Sequence, residues 1–295
     1  MTEKWRMLAE DPEAQRALQE TDRDPRVATL RARMPEVYRE LAPHRWLVTA
    51  LERLPILAAR EIPSKRGTAA AATSEELIIY VSMSAVDKLS LHDFVYTLAH
   101  EAMHALMADT LKRGAFDGRV IMWAYDVLND TLLRDAGIMP TGEWKVYYVE
   151  DMLPGRRTDE VTAEELYEAL AARWRARGRE MVPGRTNAGG EIRYDVLGAV
   201  QVGDPDLYDE DPGVVARARR RWLRAVLRAP DLPPAVRRGI EAGWADLLGR
   251  GAGSNNSASM HAPRGRLKRL RRMRGRWTPT KRSRRPSSVY TWSIL

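Results

Sequence analysis

The stretch Leu91 to Gly114 reads LHDFVYTLAHEAMHALMADTLKRG. Inside it, His100-Glu101-Ala102-Met103-His104 spells H-E-x-x-H. Four residues advance a helix by about one turn, so both imidazoles leave from one face and can converge on a single metal ion. Glu101 follows the first histidine and can reach a water on that metal. Two nitrogen ligands, an open position and a carboxylate base make up the hydrolytic zinc pattern. The flanks are apolar (TLAHEAMHALMA). Two histidines and a glutamate in such a setting each carry a desolvation cost unless something pairs them. A chance match on a solvated helix would lack that setting.

The pattern requires a helix, and the residues around it predict one. Ser90 is a good N-cap, and Asp93 three positions on completes a box-like start. Phe94, Leu98, Ala102 and Ala105 keep helical spacing, and Leu91, Val95 and Leu106 widen the stripe. Lys112 and Arg113 suit a last turn and Gly114 a C′ position, so the expected end is Gly114.

A zinc ion held by two histidines needs a third protein ligand. The chain has no cysteine, which leaves His, Asp or Glu and excludes disulfides. A second helix is expected from Val120 to Ala136 (VIMWAYDVLNDTLLRDA), closed by Gly137. Its apolar stripe is Ile121, Ala124, Val127, Leu128 and Leu132, and Asp126, Asn129 and Asp130 share another face. Asp126 is the preferred third ligand because it falls between apolar residues, where an unpaired carboxylate is costly. Asp130, one turn on, is the alternative.

Two strands are expected ahead of the motif, at Ile56 to Ile62 and Glu76 to Met83, forming a hairpin around a loop of small residues, SKRGTAAAATSE. Residues 1–54 read as helical. Asp11-Pro12 and Asp24-Pro25 are start signals there, and Pro35 and Pro43 punctuate the next segments. His44 reads as structural. After Pro140, Trp144 to Met152 suits a strand or ordered loop, and Glu164 to Arg177 a helix capped by Thr162. Residues 178–211 read as a long loop, and Pro212 to Leu227 and Pro234 to Leu248 as amphipathic helices with solvated arginines. The expected organisation is an N-terminal helical segment (1–54), a core domain (55–250) and a basic tail (251–295).

The net charge of +8 belongs to that tail. From Ser254 to Leu295 there are twelve Lys or Arg and no Asp or Glu, and subtracting them leaves −4 for the rest. So many like charges with few apolar residues do not fold alone. Residues 264–285, with Trp277 for stacking, are a candidate contact for nucleic acid or another polyanion. His261 in the same segment is a poor ligand candidate. No apolar run of about 18 residues occurs, and MTEKWRMLAEDPEAQ lacks the apolar core of a signal peptide, so a cytoplasmic protein with no membrane span is expected.

Taken together, TAAAATSEELIIYVSM, VYTLAHEAMHALM, WAYDVLNDTLL, AGIMP, VTAEELYEAL and WLRAVLRAPDLPPAVRRGIE resemble, in that order, a zincin-like metallopeptidase domain family. In bacteria and phages that domain usually precedes a von Willebrand factor A-like domain. The resemblance covers roughly residues 40–250. It implies an α+β fold, mostly helical, with a small hairpin or sheet beside the H-E-x-x-H helix. It further implies His100, His104 and an aspartate of the second helix as Zn2+ ligands, Glu101 as catalytic base and a protein or peptide substrate. Tyr147, Tyr148 and Tyr167 are candidates to steady the oxyanion. In the family the second helix carries approximately A-x-D-x-x-x-N. Here Asp126 fits, but Asp130 stands where the asparagine would, with Asn129 one place early. The stretch after Gly253 is too short for the partner domain. The rival expectation is a non-catalytic, metal-stabilised binding protein that engages nucleic acid through its tail.

Overall fold

Ser90 starts the helix that the rest of the protein packs around. In the computed structural model its hydroxyl oxygen accepts from the backbone N–H of Asp93 at 3.0 Å and its O–H donates to the Asp93 carboxylate at 2.7 Å. Residues 24–64, 67–74, 76–86, 88–108, 116–141, 144, 146–181, 195–209 and 211–249 are described.

In chain order these residues form α1 (Arg26–Glu40), α2 (Arg45–Leu51), β1 (Ile56–Ala59), β2 (Pro63–Ser64), β3 (Gly67–Thr68), β4 (Ala71–Thr73), β5 (Ile79–Ser82), α3 (Met83–Val86) and α4 (Leu91–Met107). There follow α5 (Gly118–Asp135), α6 (Val149–Met152), α7 (Ala163–Ala176), β6 (Val196–Gln201), α8 (Pro212–Leu227), α9 (Pro234–Gly243) and α10 (Ala245–Gly249), with single 3-10 turns at Thr158–Glu160 and Pro205–Tyr208. The fold is α+β, mostly helical, with one four-stranded mixed sheet in the order β4-β5-β1-β6 and a separate β2-β3 ribbon.

The sheet differs from the expected hairpin. β1 and β5 pair in parallel, Ile56 opposite Ile79, so the chain crosses over between them. The hairpin partner of β5 is β4, antiparallel, with Ala71 opposite Val81. Ala-Ala-Thr has weak strand propensity, so the segment read as loop. β6, antiparallel to β1, lies inside the stretch read as a long loop. Its Leu197 to Gln201 are all buried, and a strand buried on both faces shows no alternation to read. Trp144 to Met152 is not a strand: Val149–Met152 form a helical turn instead.

The helices also depart from expectation at their ends. α1 runs through Pro35 without a break, because Val27, Leu30, Met34 and Val37 are buried on both sides of it and packing outweighs the lost hydrogen bond. α4 stops at Met107, not Gly114. Ala108 takes a left-handed conformation, φ +54, and the Trp244 indole N–H donates to the Leu106 carbonyl at 2.9 Å. The expected helix after Pro234 is split at Trp244, which caps the first piece with non-helical dihedrals. α9 comes close because it presents glycines: a Cβ on Gly243 would collide with the Met107 carbonyl. Gly114, Asp11-Pro12 and the basic tail with His261 and Trp277 lie outside the described residues.

α4 is buried almost all round. α1, α2, α5 and α9 pack against it, and β4 lies along it at the edge of the sheet. Every residue from Asp93 to Met107 is buried, so its polar groups must find partners within the protein. Among the described residues no helix is long and apolar enough to cross a membrane.

Candidate metal centre

Two helices build the site. On α4, Tyr96, His100 and His104 stand four apart and share one face; on α5, Asp126, Asn129 and Asp130 do the same at spacings of three and four. Ligand atoms of His100, Glu101 and His104 all lie within 4.8 Å of one another. The two Nε2 atoms face each other at 2.9 Å. Asp126 Oδ1 lies 3.6 Å from His100 Nε2 and 3.4 Å from His104 Nε2.

The far side of each ring is held by α5. His100 Nδ1 donates to Asp130 Oδ1 at 2.6 Å, and the Tyr96 hydroxyl donates to the same oxygen at 2.6 Å. The Asn129 amide nitrogen lies 3.4 Å from His104 Nδ1. The two aspartates that the sequence left as alternatives therefore occupy different places. Asp126 faces the converging Nε2 atoms, and Asp130 sits behind His100 on Nδ1.

Glu101 projects about 100° round the helix from His100. Thr73, at the end of β4, reaches its carboxylate Oε2 at 2.7 Å and its backbone carbonyl at 2.9 Å. Glu101 is 1% exposed, His100 3% and His104 fully buried. Burial raises the pKa of Glu101, and the nearby His104 and His100 only partly counter this. Asp126 is raised too, by burial first, against the pull of both histidines. Burial alone would depress His100, but the carboxylates of Asp130 and Asp126 outweigh it and set its pKa well above the ordinary range.

The residues fit a metal ion. Asp126 Oδ1 is buried without a hydrogen-bond partner among the described residues, although the two Nε2 atoms lie 3.4 and 3.6 Å from it. A tetrahedral ion with bonds of about 2.0–2.1 Å to N and O needs ligand separations of roughly 3.3–3.4 Å. The three separations here, 2.9, 3.4 and 3.6 Å, bracket that length. A divalent cation between them would pair the orphaned oxygen and relieve the crowding of the two imidazole nitrogens.

The tyrosines singled out by sequence are spread apart. Tyr167 accepts from the Asp117 backbone N–H at 3.3 Å and packs on Phe116. Tyr147 stacks edge-on against Trp123. Tyr148 lies under the Arg134 guanidinium, close enough to Asp130 that burial and that carboxylate raise its pKa. Tyr96, Thr73 and the role of Asn129 were not anticipated. Tyr96 had a readable signal, four residues before His100 on the same face. Thr73, 28 residues away, had none until the strands are paired. His44 stands at the N-cap of α2 and takes no part in the cluster.

An α+β protein carrying a His-Glu-His cluster on one buried helix, able to hold a metal ion, is the class that this geometry defines. The family described as "Putative metallopeptidase domain" matches residues 51–225, more than half of the chain, and the chain belongs to that family. No curated protein matches the chain, and no solved structure does.

Proposed function

We propose that the chain is a zinc-dependent peptidase in which His100, His104 and Asp126 hold the ion and Glu101 is the general base. The observation that carries this reading is the convergence of two imidazole nitrogens and one orphaned carboxylate oxygen on a single point, 2.9–3.6 Å apart, with a second carboxylate alongside. Family membership supports a metal-dependent peptidase, and the site is made of nitrogen and oxygen donors that suit zinc.

When bound, zinc supplies Lewis-acid polarisation of a carbonyl and brings the pKa of a water ligand towards 7. The chain's own residues do the rest. Glu101 accepts a proton and returns it to the leaving amine, and its raised pKa suits a base that must hold a proton for part of the cycle. Thr73 fixes its carboxylate from β4. Asp130, steadied by Tyr96, keeps the His100 proton on Nδ1, so Nε2 presents its lone pair. β4 lies at the edge of the sheet beside α4, where an extended peptide substrate could add as a strand.

Glu101→Gln tests the assignment. The variant is expected to retain zinc and lose hydrolysis of an unfolded protein substrate by at least about 100-fold. Hydrolysis at the wild-type rate would remove Glu101 from the chemistry. One observation favours a second reading, a structural metal in a binding protein: the cluster is buried on every side chain, as closed structural sites are. In that case zinc removal would unfold the wild type, and no peptide substrate would be cut.

A further inference from the structure

The arginines of α8 and its C-cap divide into two sets. Arg219 and Arg220 turn back onto the protein, Arg219 over the Trp244 ring at 5.9 Å and Arg220 onto the Ala216 carbonyl. Arg217, Arg221, Arg224 and Arg228 are all exposed. Their spacing along the chain places the four within about 60° of one another around the helix axis, over about 16 Å of its length. Ala218, Trp222, Leu223 and Val226 occupy the opposite side and are buried, so the stripe cannot rotate inward without opening the core.

Little nearby balances this charge. The helix itself, PGVVARARRRWLRAVL, has no acidic residue. Asp206 pairs with Arg221 at 2.8 Å, but both side chains are half exposed, and water and salt weaken such a pair. Arg217, Arg224 and Arg228 have no side-chain hydrogen bond or ion pair among the described residues. Asp211, at the N-terminal end, is committed to capping, its Oδ1 accepting from the Gly213 N–H at 2.7 Å.

A row of guanidinium groups held on a fixed helix suits a polymer of phosphates. Duplex DNA carries one negative charge per about 1.7 Å of its axis, so the length of the stripe faces about nine phosphates. Guanidinium forks take phosphate oxygens in pairs, and every basic residue of α8 is arginine. A lipid surface fits less well, because no large apolar side chain of α8 is exposed to enter it.

We propose that the exposed arginines of α8 bind the phosphate backbone of double-stranded nucleic acid without regard to base sequence. This surface is independent of the peptidase reading. α10 packs against α8 and ends the described chain at Gly249. The twelve basic residues of 254–295 follow, so both basic elements can engage one duplex.

Anisotropy of a labelled DNA duplex of arbitrary sequence, titrated with the full-length protein at about 50–200 mM salt, tests this. Each phosphate contact adds about 0.9 to the steepness of log K against log[salt]. Combining Arg217→Gln, Arg221→Gln, Arg224→Gln and Arg228→Gln should therefore shallow the slope by about 3 to 4 and weaken binding at least about tenfold at low salt. Combining Arg156→Gln, Arg157→Gln, Arg175→Gln and Arg177→Gln removes the same charge from around α7, and should change the slope by less than about 1. Circular dichroism checks the fold. Should the α8 variant not fold, Arg217→Gln with Arg224→Gln serves, with an expected change of about 2. An unchanged slope in the α8 variant would assign DNA binding to the tail and overturn the proposal. Equal losses in both variants, or a wild type that does not bind the duplex, would overturn it too. Binding to phosphatidylserine vesicles in place of DNA, lost with the same arginines, would overturn it in favour of a membrane surface.

Discussion

Asp126 Oδ1 lies 3.4 Å from His104 Nε2, buried and without a hydrogen bond among the described residues. A buried carboxylate oxygen with no hydrogen bond, held only by the longer contacts to the two imidazoles, is poorly compensated in the metal-free protein, and burial is the leading cause of its raised pKa. Asp126→Asn should therefore move two properties in opposite directions. The metal-free variant should be as stable as wild type or more so, by up to roughly 1–3 kcal/mol. Its zinc affinity should fall by more than about 100-fold, beyond what loss of an outer-shell group causes. Paired thermal melts with and without zinc check both; a variant destabilised in the metal-free state would count against this reading of Asp126.

Zinc and protons compete for His100. Asp130 and Asp126 outweigh burial and raise its pKa well above the ordinary range, so at any pH below that raised value the metal must displace a proton. Affinity should rise by about tenfold per pH unit for that one proton and level off once the pH passes the His100 pKa. Chelator competition between pH 6 and 8 measures the slope. A flat profile would mean that His100 is already neutral in the empty site.

Asp93 anchors the start of α4. Its carboxylate accepts from the Ser90 hydroxyl and from the backbone N–H and hydroxyl of Thr141, at 2.7–2.8 Å. Burial would raise its pKa, but these hydrogen bonds outweigh it and the pKa is lowered. A depressed carboxylate stabilises the fold fully above its unfolded value of about 3.9, and that contribution is lost as pH falls through the folded value. Asp93→Asn should cost about 1–2 kcal/mol at pH 7. The gap from wild type should persist down to about pH 5 and close below about pH 4. Urea melts across that range test it; a gap that widens in acid would contradict it.

Much of α4 was legible in the sequence, and the reason is local. A cap at Ser90, an apolar stripe and two histidines one turn apart need no knowledge of the rest of the chain. The choice between Asp126 and Asp130 was not legible, because residues four apart share a face and only the approach of α4 shows which one meets Nε2. β4 was missed because three small residues look like loop until β5 pairs with them, and Thr73 was missed with it. The end of α4 was misplaced because a tertiary contact sets it. Nothing near Met107 announces that Trp244 will satisfy its last turn.

That contact yields a further prediction. α9 lies beyond the family match, which ends at residue 225, yet it closes the helix that carries the histidines. Gly243→Ala would push a methyl into the Met107 carbonyl and should cost about 1–3 kcal/mol. Trp244→Phe, which loses the hydrogen bond to Leu106 but keeps most of the packing, should cost about 1 kcal/mol. Chemical denaturation of both variants decides it; unchanged midpoints would show that α4 ends without their help.

The metal centre is decided most directly by elemental analysis of the purified full-length chain beside His100→Ala, after equal exposure to zinc and exhaustive dialysis. A centre built from His100, His104 and Asp126 predicts one tightly held zinc per wild-type chain and almost none in the variant. Equal zinc in both, or none in either, would contradict it.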